Sequence, residues 1–212
     1  ANTEGTPTQT PGKITDITAT NENGSLEVTF NFTMPTGLYS ASAPAVGWLK
    51  YSIREANKFP AVVYAEGDAD FGEQKSVKVT FEEAGYHTFA LYAVNEKGQS
   101  SPAPNYPYLQ MWVGPGKPSN VTGINLSTQG TTANLTWNAV TTPTNTQAFF
   151  APEEVTYTVV RTPGDVTVAE NISATNRRPH LGQRFPHLYP RPLRQQLHLA
   201  VGRIGQPRET LL

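Results

Sequence analysis

A chain of 212 residues with a net charge of −1 and no cysteine has room for one large domain or two of about 100 residues each. The missing cysteine excludes disulfide staples, thiolate zinc sites and a cysteine nucleophile. No apolar run approaches the roughly 18 residues of a membrane span, and Thr, Val, Asn, Gly and Pro scattered among short apolar runs favour strands and turns over long helices. The chain starts at Ala1 with no apolar leader before it, as expected of a mature or excised fragment.

Residues 1–10, rich in Thr and with Pro, Gly and Gln among them, have no periodicity and read as a linker. Strands begin after Pro11. Ile14 and Ile17 open the first, and the Asn21–Gly24 cluster turns it. Leu26, Val28, Phe30 and Phe32 then alternate with polar residues, as in a strand with one buried face. Leu49, Tyr51 and Ile53 repeat the pattern, followed by a short run at Ala61–Tyr64 and then by Val77, Val79 and Phe81. Tyr86–Asn95 is apolar on both faces, the mark of a central strand, and Leu109, Met111 and Val113 close a set of seven strands over residues 11–114. That density of short strands predicts an immunoglobulin-like β-sandwich.

The pattern restarts at residue 115. Pro11-Gly-Lys13 recurs as Pro115-Gly-Lys117, and Leu49-Lys-Tyr-Ser-Ile53 is echoed by Val155-Thr-Tyr-Thr-Val159. A repeat this long is a tandem domain, because solenoid units span only roughly 20–50 residues. A second, partial domain is expected over residues 115–176, cut off after about four strands.

A seam follows. Residues 1–176 carry nine Lys and Arg against sixteen Asp and Glu, whereas residues 177–212 carry seven Arg, no Lys and one Glu. With four prolines before Gln195 and no alternating run, this tail is not expected to complete a sandwich, and it reads as disordered or frameshifted. A reading frame slipped near Thr175 is compatible with the seam: Arg194-Gln-Gln-Leu-His198 can be encoded CGG-CAA-CAG-CTA-CAC, a choice of codons that reads Gly-Asn-Ser-Tyr-Thr one nucleotide later. The alternative is a basic arm for nucleic acid or an anionic surface, disfavoured by the Pro and Leu content and the lack of Lys.

Val121-Thr-Gly-Ile-Asn-Leu126 followed by Ala133-Asn-Leu-Thr-Trp137 resembles the first two strands of a fibronectin type III domain, including the Trp buried on the second. Val155–Arg161 resembles the third strand, and Ala84–Gly98 resembles the sixth strand and the turn after it. The resemblance covers residues 11–175 and implies tandem all-β sandwiches of that family. The first repeat departs from it, with Phe32 in the place of the Trp and His87 near the expected tyrosine corner. The Ala93–Gly98 turn and the Pro-Gly-Lys linker are most similar to repeats in surface proteins of Bacteroidetes-type bacteria.

Catalytic groups do not cluster in the sequence. Three of the four histidines lie in the tail, His87 reads as a structural strand residue, and no Ser stands in a nucleophile-elbow context, so an enzyme is not expected. Asp68, Asp70 and Glu73 place carboxylates close together in a Gly-bounded loop that a Ca²⁺ ion suits, but the full calcium-loop pattern is absent and a solvated turn is the simpler reading. Tyr39, Tyr106 and Tyr108 fall at loop or edge positions, where exposed rings bind sugars or protein partners; Trp48 and Trp112 are expected in core or inter-domain packing.

The expected role is therefore a non-catalytic structural or interaction module of a secreted or surface-attached bacterial protein, spacing or presenting a partner domain or mediating adhesion. The alternative is a carbohydrate-binding accessory module of a secreted peptidase or glycoside hydrolase. The expected partners are other domains of a parent protein and extracellular protein or glycan, with no cofactor, no nucleic acid and no membrane insertion.

Overall fold

Residues that alternate apolar and polar form strands because a two-residue period puts every apolar side chain on one face of the pleat. In the computed structural model, which describes residues 4–129, 132–162, 165–173, 180–185 and 196–203, this shows most clearly in β2 (Glu27–Thr33), where Val28, Phe30 and Phe32 are buried and the residues between them are not. Around it lie β1 (Thr15–Thr20), β3 (Leu49–Glu55), β4 (Val63–Ala69), β5 (Gln74–Thr80), β6 (Gly85–Asn95), the two-residue β7 (Gly98–Gln99) and β8 (Leu109–Val113). One sheet runs β1-β2-β5; the other runs β4-β3-β6-β7, with β8 also paired to β6, and all pairs are antiparallel. Three strands on one side and four or five on the other form an immunoglobulin-like sandwich. Phe30 and Phe89 meet edge to face at 4.9 Å in its core, each fully buried and each contributing roughly 1.5–3 kcal/mol.

The strands expected from the sequence appear with two differences. The fourth begins at Val63 and runs to Ala69, so Gly67 and Asp68 pair with Tyr51 and Lys50 instead of turning. Its acidic, Gly-containing end lacks an apolar pattern, but backbone hydrogen bonding to β3 carries it on. The edge strand beside β6 is broken. Residues 98–103 pair with its upper half and residues 109–113 with its lower half, and Pro104–Tyr108 bulge out between them.

The stretch expected to be a linker is held where it is described. Pro7 is buried, Gln9 accepts from the Asn95 side chain at 2.8 Å and from the Ser40 amide at 2.9 Å, and Thr10 accepts from the Tyr39 amide. Gly47 permits the contact: at φ +87 it has no Cβ, which would stand 2.7 Å from Pro7 Cδ.

The chain divides into two compact units, Ala1–Pro115 and Gly116–Leu212. In the second, β9 (Asn125–Gln129), β10 (Thr132–Asn138), β11 (Val155–Thr162) and β12 (Val166–Ser173) supply four strands. The tail, expected to contain none, differs from that expectation in its backbone. β13 (His180–Phe185) pairs with β10 and β14 (Gln196–Arg203) pairs with β11. The sheets β13-β10-β9 and β12-β11-β14 repeat the order β5-β2-β1 and β4-β3-β6 of the first unit. Leu197, Leu199 and Val201 do alternate with His198, Ala200 and Gly202, a strand-like run that the proline-rich surroundings conceal.

An aromatic pair marks the repeat. Phe32 on β2 packs on Tyr51 of β3 at 5.5 Å and 59°, and Trp137 on β10 packs on Tyr157 of β11 at 5.4 Å and 56°. Tyr157 is fully buried and its hydroxyl accepts the Val140 N–H at 2.8 Å, while burial raises the pKa of its phenol above the ordinary value. The indole N–H of Trp137 has no acceptor among the described residues.

Candidate functional site

Three strands of the first unit bring Glu55, Tyr64 and His87 together at one end of its core. Glu55 is the last residue of β3, Tyr64 lies near the start of β4, and His87 lies near the start of β6. Glu55 Oε2 accepts from the Tyr64 hydroxyl at 2.7 Å, and Oε1 accepts from the Thr88 amide at 3.0 Å. His87 Nδ1 stands 3.2 Å from both the carboxylate and the phenol oxygen. The imidazole stacks on Phe89 at 5.7 Å and lies 4.6 Å from Phe81. Burial, then the hydrogen bond to Glu55 and its charge, raise the Tyr64 pKa far above the ordinary phenol value. This grouping fastens three strands, with the Glu55 lone pairs directed to groups of its own fold. His87, read from sequence as a structural residue, sits where that reading put it. Glu55 and Tyr64 carried no signal, because only the pairing of β3 with β4 and β6 unites them.

The acidic loop is tied by lysine. Glu73 Oε2 accepts the Asp70 amide at 2.8 Å and Oε1 meets Lys75 Nζ at 3.1 Å, contacts that hold its pKa below the usual carboxylate value. The same Nζ donates to the Asp68 carbonyl at 3.2 Å, and the Asp68 carboxylate lies 4.0 Å from Lys50 Nζ. Asp68 belongs to β4, whereas Asp70 and Glu73 belong to the turn after it. Among the described residues no group of three His, Asp or Glu side chains converges as a metal site requires.

The tyrosines divide. Tyr106, 85% exposed, and Tyr108 sit on the bulge with rings perpendicular at 6.1 Å. The Tyr108 hydroxyl reaches Asn57 Oδ1 at 3.4 Å, which brings the bulge beside the β3–β4 loop and its fully exposed Phe59. Tyr39, also exposed, lies in the loop between β2 and β3, at the opposite end of β3 and roughly 20 Å away along that strand. The structure therefore places Tyr106 and Tyr108 together and Tyr39 apart. Neither Trp48 nor Trp112, expected in packing, is a core residue: Trp48 is 38% exposed beside Lys50, and half-buried Trp112 donates from its indole N–H to the Pro115 carbonyl at 3.3 Å. Sequence reasoning also missed Arg54. It crosses the outer face of the larger sheet over the Tyr92 ring at 4.7 Å, donating to Ser52 at 2.8 Å and Gln99 at 2.7 Å.

No family model matches the chain, and no curated protein matches it either. Among solved structures 114 chains match. One is the crystal structure of the FN1–FN3 domains of chicken CNTN1, at 12% identity and a TM-score of 0.39, covering 91% of this chain. This chain spans 61% of that one. By its own strand order the described chain is all-β and built of immunoglobulin-like sandwiches of antiparallel sheets.

Proposed function

We propose that the chain is a non-catalytic structural or interaction module of a secreted or surface-attached bacterial protein, where it spaces or presents a partner domain or binds another protein. One observation carries the reading. The titratable grouping with the most catalytic look, Glu55–Tyr64–His87, is closed on itself, with its ring faces covered by phenylalanines and its carboxylate bonded to its own sheet. The bacterial and surface setting rests on the likeness of the Ala93–Gly98 turn and the Pro-Gly-Lys linker to such repeats. No helix of the described residues is long and apolar enough to cross a membrane. The test is turnover by the purified chain on panels of peptide, ester and glycoside substrates. No hydrolysis above buffer is expected; hydrolysis lost in Glu55→Gln would overturn the reading.

A second reading, carbohydrate binding, is favoured by one feature. The corner of exposed Tyr106 and half-buried Tyr108 stands beside the Asn57 amide, and aromatic faces with neighbouring amides suit sugar rings. Glycan-array binding that disappears in Tyr106→Ala supports it, and no binding returns the surface to a protein-facing role.

A further inference from the structure

Among the described residues the two sheets of the first unit have four open edges, and three carry devices that discourage strand pairing. β1 is bulged between Thr15 and Thr18, with Asp16 at φ +53. β4 carries Glu66 and Asp68 and an irregular register against β3. β5 carries Lys75 and Lys78. The fourth edge is the broken one beside β6, and its β8 segment, beyond the Pro104–Tyr108 bulge, has none of these of its own. Its sequence Leu-Gln-Met-Trp-Val is uncharged and pairs with β6 in unbroken register. No charged residue occurs between Lys97 and Lys117, although residues 1–115 hold twelve acidic and seven basic side chains.

The core flank behind this edge is open. Leu109 and Met111 point to the core yet are only partly buried, whereas Val113 is fully buried. Gln110 and Trp112 occupy the outer face. At Gly114 the chain leaves the edge, its amide donating to the Ser25 carbonyl at 3.1 Å, so it does not run on along β8.

We propose that β8 pairs antiparallel with β8 of a second copy, joining two of the larger sheets into one. The strand itself argues for a copy. Its pattern is symmetric about Met111, so an antiparallel mate sets Leu109 opposite Val113 and Gln110 opposite Trp112. Every core-facing side chain stays on the core side, and no like charges meet. The isologous contact closes after two copies.

Sedimentation of the full chain from about 10 µM to about 1 mM tests this, since small edge contacts dissociate in that range. The mass is expected to rise from the 23.1 kDa monomer towards twice that value. Gln110→Lys, on the exposed face, is expected to weaken association about tenfold or more, as edge lysines do. Gln110→Val is expected to keep or strengthen it, and unchanged thermal melting of both variants shows that folding is intact. A monomer at every concentration overturns the proposal and leaves the edge to an extended segment of another protein. A dimer indifferent to Gln110→Lys also overturns it and moves the contact elsewhere on the chain.

Discussion

Tyr157→Phe deletes a single oxygen from the core of the second unit, and the consequence follows from one contact. The hydroxyl accepts the Val140 N–H at 2.8 Å, in a place where both residues are buried. Phe keeps the ring against Trp137 at 5.4 Å, so little packing is lost. The amide, however, is left in the core without an acceptor, which costs about 1–3 kcal/mol. Relief from burying the phenol offsets only part of this, and a net loss of about 2 kcal/mol is expected. At roughly 4–8 °C per kcal/mol for a domain of this size, the second unit melts about 8–16 °C lower. Trp137 reports its unfolding in a background of Trp48→Phe and Trp112→Phe, measured in urea and by heating. Tyr108→Phe is the control: its hydroxyl makes a long surface contact to Asn57 at 3.4 Å, and its loss is expected to change stability by less than about 0.5 kcal/mol. A Tyr157→Phe effect as small as the control's refutes the claim that the phenol supports the Val140 amide.

Further predictions concern the rest of the chain. Tyr64 and Tyr157 both have raised folded-state pKa values, so they favour the neutral phenol in the folded state; that stability is full below the unfolded phenol value near pH 10 and falls as pH rises beyond it. Urea titrations in that alkaline range are expected to show the decline, and Tyr64→Phe is expected to flatten it for the first unit. Gly114→Ala forces φ +81 on a side chain whose Cβ would lie 2.8 Å from Ala84 Cβ and Leu26 Cδ2; a loss of about 2 kcal/mol in the first unit is expected by chemical denaturation. With Glu73 held by Lys75 and the Asp70 amide, millimolar Ca²⁺ is expected to leave the melting of the first unit unchanged; a rise would restore the calcium reading of the loop.

Much of the fold was legible because burial of one strand face writes a local period into the chain. β2, β3, β5, β6 and β8 fall on runs visible by eye, and the burial of Trp137 on the second strand of the repeat follows from a likeness carried by a few adjacent residues. The signal failed where local pattern and pairing part company. β4 continues through Gly67 and Asp68 because β3 offers hydrogen bonds, and β14 follows an alternation buried among prolines and arginines. The candidate sites were legible only one residue at a time. Tyr106 and Tyr108, two apart, could be grouped from sequence; Tyr39 could not be separated from them until β3 set its two loops at opposite ends.

The sequence alone therefore determined the strand class, the tandem repeat and the absence of thiol chemistry, because each depends on composition or on a period of two. Only the tertiary structure decided that Glu55, Tyr64 and His87 meet, that Lys75 satisfies Glu73, and that β8 is an edge segment with no charge or bulge of its own. Those facts depend on which strands lie side by side and in what register. That is a property of sheets, and no single strand contains it.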